Sequence, residues 1–67
     1  MTAPKYDLTA CVEAGAQAAY EATRAKHIAS GYKMATWEQA PAMIRHFHRD
    51  HVLPIVRAVL GVVEAGE

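Results

Sequence analysis

The chain reads as an all-α helical hairpin, and three observations carry that reading. Apolar residues recur at three- and four-residue spacing over about 8–29, and again over about 41–65. Between these stretches stands Met34-Ala35-Thr36-Trp37-Glu38-Gln39-Ala40-Pro41, which holds the single tryptophan. The connector is short, and short connectors join antiparallel neighbours. The expected architecture is two main helices joined by a Trp-containing turn, within one small domain spanning residues 1–67.

Residues 1–6 read as an extended lead-in, because Pro4 keeps Ala3 out of the helical region. Asp7 is the first good N-cap: its carboxylate can accept from the free N–H groups of the next turn. Thr9 is the competing choice. In the first helix Leu8, Val12, Ala16, Ala19 and Thr23 form one stripe, flanked by Cys11, Gly15, Ala18 and Ala22. Glu13, Gln17, Glu21 and Arg24 fall on the other side. The stripe is built from small side chains, which let a partner helix approach closely but bury little area. Gly15 costs about 1 kcal/mol of helix propensity against alanine. A contact that only glycine permits would explain it, and so would ordinary tolerance. Ser30-Gly31 closes the helix, with Gly31 suited to the left-handed position past its end. Lys26 and His27 in the last turn favour the negative end of the helix dipole.

Thr36 is a good N-cap, and Thr36-Trp37-Glu38-Gln39 reads as a capping box. Pro41 would fall at the fifth position of a helix begun at Trp37. A single turn over 37–40 is therefore expected, then a second start with Pro41 at or near its first position. In the second helix Ile44, Phe47, His48, His51, Val52, Ile55, Val59, Val62 and Val63 share a broad face. His46, Asp50, Arg57 and Glu64 lie opposite, and Leu53, Val56 and Leu60 widen the apolar surface further. Pro54 is expected to kink this helix, or to break it at Leu53-Pro54. Gly66 reads as its stop and Glu67 as a tail.

A chain of 67 residues buries only about 60% of its unfolded surface, so its own core is marginal. Small scaffolds add a disulfide, a metal or a second copy. Cys11 is the lone cysteine, which excludes an intrachain disulfide and reads as a small buried hydrophobe. A homodimer is expected, with Val52, Ile55, Val56, Val59, Leu60 and Val63 as its interface.

Formal net charge is zero, which disfavours nucleic-acid binding. No apolar run reaches the roughly 18–20 residues of a membrane span, and the N-terminus lacks the apolar core of a secretory signal. A cytoplasmic protein is expected. His48 and His51 lie one helical turn apart, and His46 pairs with Asp50 on the opposite side. No face gathers three ligands, and Arg45 and Arg49 oppose a cation. No metal and no cofactor are expected. Cys11 lies more than four helical turns from His27, so it has no base within reach. There is no phosphate-cradling glycine loop. An enzyme is not expected.

One further cluster is Tyr20, Glu21, Arg24, Trp37, Glu38 and Arg45. Tyr20 and Arg24 are neighbours on one helix surface, and closure at Trp37 would bring the group together. Trp37 reads first as a core anchor and second as a platform on which a planar ligand could stack. At this cluster, Tyr20-Glu21-Ala22-Thr23-Arg24 followed by Trp37-Glu38-Gln39-Ala40-Pro41 and Arg45 resembles the short bacterial and phage versions of the ryanodine-receptor-type repeat domain. The resemblance covers residues 18–45, with Tyr20 in place of the family's histidine and Thr23 in place of its asparagine. The layout also looks like that of very small proteins of actinobacterial phages. What the resemblance implies is a mostly helical domain that binds something, with a nucleotide-type ligand suspected for family members. A phage or mobile-element accessory protein in the host cytoplasm is the expectation that follows, acting on a host or defence protein. The alternatives are a small-ligand module and a minor virion component.

Overall fold

In the computed structural model, two helices pack against each other as an antiparallel hairpin: α1 (Leu8–Ala29) and α2 (Ala42–Ala65). The structure describes residues 6–65, with Glu64 described by its backbone alone. The lead-in expected over residues 1–5, the stop at Gly66 and the tail at Glu67 lie outside the described residues.

Asp7 starts α1. Its Oδ1 accepts from the Thr9 N–H at 2.9 Å and the Ala10 N–H at 3.4 Å, meeting two donors that the helix leaves unpaired. Gly31 ends it, at φ +91°, where a side chain would be strained. The Tyr32 N–H reaches back to the His27 carbonyl and the Gly31 N–H to that of Ile28. Those two bonds are the paired ring closures of a Schellman cap.

The chain then crosses to a tight turn, where the Gln39 N–H bonds the Thr36 carbonyl and the Ala40 N–H that of Trp37. The Ile44 and Arg45 N–H groups both reach the Pro41 carbonyl. Pro41 therefore caps α2 from just outside its first helical position, a shift of one residue. The helix runs unbroken through Pro54, so of the two expectations, a kink or a break, the break at Leu53-Pro54 does not occur. Pro54 and Asp50 are both exposed, so water can satisfy the Asp50 carbonyl that the proline leaves without a donor.

The core is small: Ala16, Tyr20, Trp37, Ala40 and Val52, bordered by Val12, Ala19, Met34 and Val56. It fills the seam near the Trp37 turn and thins toward the far end. Val59, Val62 and Val63, in the last turns of α2, are exposed. The radius of gyration is 14.5 Å, against about 11 Å for a compact domain of this length. An elongated hairpin leaves more of its apolar surface uncovered than a compact domain would.

Gly15 faces this seam. A Cβ placed there would meet Val56 Cγ2 at 3.6 Å and Val52 Cγ2 at 3.7 Å, which is ordinary van der Waals distance. Tolerance, not a glycine-only contact, therefore accounts for it. Gly15→Ala is expected to raise stability by about 1 kcal/mol through helix propensity. A shift of the urea midpoint to higher concentration checks this, and a lower midpoint would mean the helices approach too closely for a methyl.

Candidate functional site

Two surfaces compete for the role of functional site: the cluster around Trp37 and the outer face of α2. The Trp37 cluster is gathered by the fold, but it is occupied with holding the fold. Trp37 is only 4% exposed. Its ring lies 5.6 Å from Tyr20, tilted by 56°, and His48 meets both rings edge-on. The Tyr20 hydroxyl donates to the Ala35 carbonyl at 2.5 Å. Arg24 Nε donates to the Met34 carbonyl at 3.1 Å while its Nη1 meets Glu21 Oε2 at 3.4 Å. The Trp37 N–H donates to Glu21 Oε1 at 3.4 Å.

Tyr20, Glu21 and Arg24 thus clamp residues 34–37 onto α1. Of the six ligand candidates, these three side chains and Trp37 are brought together, and Glu38 remains exposed outside the group. Arg45 is half-buried, and its Nε has no hydrogen-bond partner among the described residues. Tyr20 and Trp37 offer no open ring face for stacking, because each is buried against the other. An open cleft of about 340 Å³ lies elsewhere, walled by Leu8, Val12 and Leu53 with Glu13 and Arg49 at its edge. None of the six candidates lines it.

The residue that ties the cluster together is Glu13. Its Oε1 accepts from Trp37 Nε1 at 3.1 Å. Arg49 Nε donates to Glu13 Oε2 at 2.6 Å and Nη2 to Oε1 at 3.1 Å, the two-pronged geometry that guanidinium and carboxylate favour. The same guanidinium lies 5.7 Å from the Trp37 ring centre, within cation–π range. Glu13, Glu21 and Arg24 therefore do not form a solvated far side of α1; all three turn toward the connector and α2. One signal in the sequence pointed to Glu13. It lies three residues before Ala16 and seven before Tyr20, so all three border one face.

Hydrogen bonds from Arg49 and Trp37 hold the Glu13 carboxyl below its ordinary value of 4.5, against a weaker opposing effect of desolvation. A carboxyl lowered in the folded state stabilises it fully above the unfolded value, and the contribution disappears as pH falls through the folded one. The wild type is therefore expected to exceed Glu13→Gln in stability near neutral pH. That advantage should shrink as pH drops through about 4.5 and below. Urea unfolding of both proteins across that range checks it; a pH-independent gap would remove the carboxylate from the account.

The second surface is the outer face of α2. Val52 is buried in the seam, and Val56 packs beside it, so the expected interface loses Val52 and most of Val56 to the hairpin itself. Leu60 is half-buried. Ile55, Val59 and Val63 stay exposed, and Ile44, Phe47 and Val62 join them. Phe47 is 64% exposed, Ile55 54% and Val62 75%. Helical geometry puts Ile44, Phe47, Ile55, Ala58 and Val62 on one side, turned away from the seam residues Val52 and Val56. A shallow depression of about 310 Å³ runs among Ala58, Val59, Val62 and Val63. His51 lies in the same stripe, its ring stacked parallel to Phe47 at 6.4 Å. His48 points instead into the seam, so the two histidines do not serve one centre.

No described helix is long and apolar enough to cross a membrane. Searches of protein-family models, curated proteins and solved structures find no match for the chain.

Proposed function

We propose that this chain is a non-enzymatic interaction module whose task is to present the outer face of α2 to another protein. The observation that carries this reading is the run of exposed apolar side chains from Ile44 to Val62, on the side of α2 that α1 does not cover. Monomeric proteins rarely expose a contiguous apolar patch beyond about 300–600 Å². Here Met43, Ile44, Phe47, Ile55 and Val62 are all exposed on one helix.

The ligand-binding alternative has less to stand on, because Tyr20 and Trp37 are consumed in the core. The expectation of an accessory protein that acts by binding is in keeping with this reading, whereas the nucleotide-type ligand suspected for the repeat family belongs to the alternative. Exposed aromatic anchors dominate binding energy at such surfaces, at about 2 kcal/mol or more each. Phe47→Glu combined with Ile55→Glu is therefore expected to abolish capture of either a differently tagged second copy or another protein. Far-UV circular dichroism should remain unchanged, since neither side chain is in the core. Undiminished capture by the double variant would remove the outer face of α2 from the role.

A further inference from the structure

We infer that the occupant of this face is a second copy of the chain, with the two α2 helices antiparallel about a two-fold axis passing beside Leu53. The inference rests on the proposed role of the face and names what covers it. Its first support is the symmetry of the stripe. Ile44 lies nine residues before Leu53 and Val62 nine after; His51 lies two before and Ile55 two after. A two-fold interface must be self-complementary, each residue meeting on the partner the residue it is met by. An antiparallel pair centred at Leu53 sets Ile44 against Val62, twice over. His51 then faces Ile55 near the centre.

The second support is charge. Asp50 and Arg57 are both exposed, and neither has an ion-pair partner among the described residues. They are seven residues apart, so they lie two turns apart on the same flank of the stripe. In an antiparallel pair the same flanks face each other. Asp50 lies three residues before Leu53 and Arg57 four after, within half a residue of the same midpoint, so each Asp50 meets the Arg57 of the second copy. One register thus satisfies the apolar stripe and both charges. The chain's zero net charge places no general repulsion between copies.

The third support is need. The described residues bury a core of only five side chains, so covering the exposed stripe with a second copy adds apolar burial that α1 does not supply.

The test is a set of charge reversals at sites outside the core. Sedimentation equilibrium is run on the wild type, Asp50→Arg, Arg57→Asp, the doubly reversed chain, and an equal mixture of the two single variants. The wild type is expected to be a dimer. Each single reversal turns two attractions into two repulsions and should weaken dimerisation by about tenfold or more. The doubly reversed chain restores both pairs and should recover to within about threefold of the wild type. The mixture should recover likewise, because every introduced arginine then faces an aspartate. Indifference of a wild-type dimer to all the reversals would overturn the antiparallel register. A wild type that stays monomeric up to roughly millimolar concentration would overturn the second copy as occupant. That result would leave the role of the face to the capture experiment with Phe47→Glu and Ile55→Glu, which reads partners of any identity.

Discussion

Trp37→Ala is expected to unfold most of the protein at room temperature. Truncating a buried tryptophan costs about 3–5 kcal/mol, from lost transfer energy and the cavity left behind. A chain of this length has only about 3–10 kcal/mol of stability in total, at the usual value per residue. Trp37 is 4% exposed and touches every part of the hairpin: Tyr20 on α1, His48 and Arg49 on α2, and the turn it belongs to. Its loss would also strip one donor from Glu13 Oε1. A far-UV thermal melt at fixed protein concentration should show weak helicity and no sharp transition. Trp37→Phe keeps much of the volume and loses only the indole donor, so it should melt cooperatively at a lower temperature. Fixed concentration matters because any association of copies adds to apparent stability. Cooperative unfolding of Trp37→Ala within about 1 kcal/mol of the wild type, far below a usual truncation cost, would show that some other contact anchors the hairpin.

How much of this was legible beforehand divides along the range of the interactions. The bounds of α1 are written locally, in the Asp7 carboxylate at one end and the freedom of Gly31 at the other. The hairpin itself agrees with the sequence reading of two apolar-patterned helices on either side of the Trp37 turn. What could not be read was which side of α2 would meet α1. Its aliphatic residues surround more than half the helix, so periodicity alone left Val52 and Ile55 on one broad face. Only α1 divides them, burying Val52 and leaving Ile55 exposed. Glu13 and Arg49 are a pair made across the seam, 36 positions apart, and no spacing rule within one helix can find such a pair. Tyr20 was ambiguous for a different reason. It lies one turn beyond Ala16, where the apolar stripe would place it, but an aromatic four residues before Arg24 also fits a binding surface. The hydroxyl bond to Ala35 decides for the core. Pro54 turned on a quantity absent from the sequence, namely whether the freed carbonyl faces water or a neighbouring helix.

The same seam supplies the second large effect. Ala16 is 0% exposed, and it stands between Val12 and Tyr20 on the buried face of α1. Small side chains at a crossing let helix axes approach toward the near end of the usual 8–10 Å. Ala16→Leu adds three carbons at a point with no accessible surface to receive them. Either the side chain leaves its favoured rotamers or the helices separate, at about 1–3 kcal/mol. Separation would be felt at once by the Tyr20 hydroxyl bond and the Glu13–Arg49 pair, both of which depend on the present distance between elements. The control is Ala18→Leu, two residues on and exposed. Leucine and alanine differ little in helix propensity, so this change should stay within about 0.5 kcal/mol. The two variants have identical composition, hydrophobicity and length. A difference in their urea midpoints therefore measures the closeness of α1 to its neighbours at Ala16 and nothing else. Equal midpoints would mean that the small-residue face of α1 is a matter of composition alone, and that the hairpin is looser than its buried alanine implies.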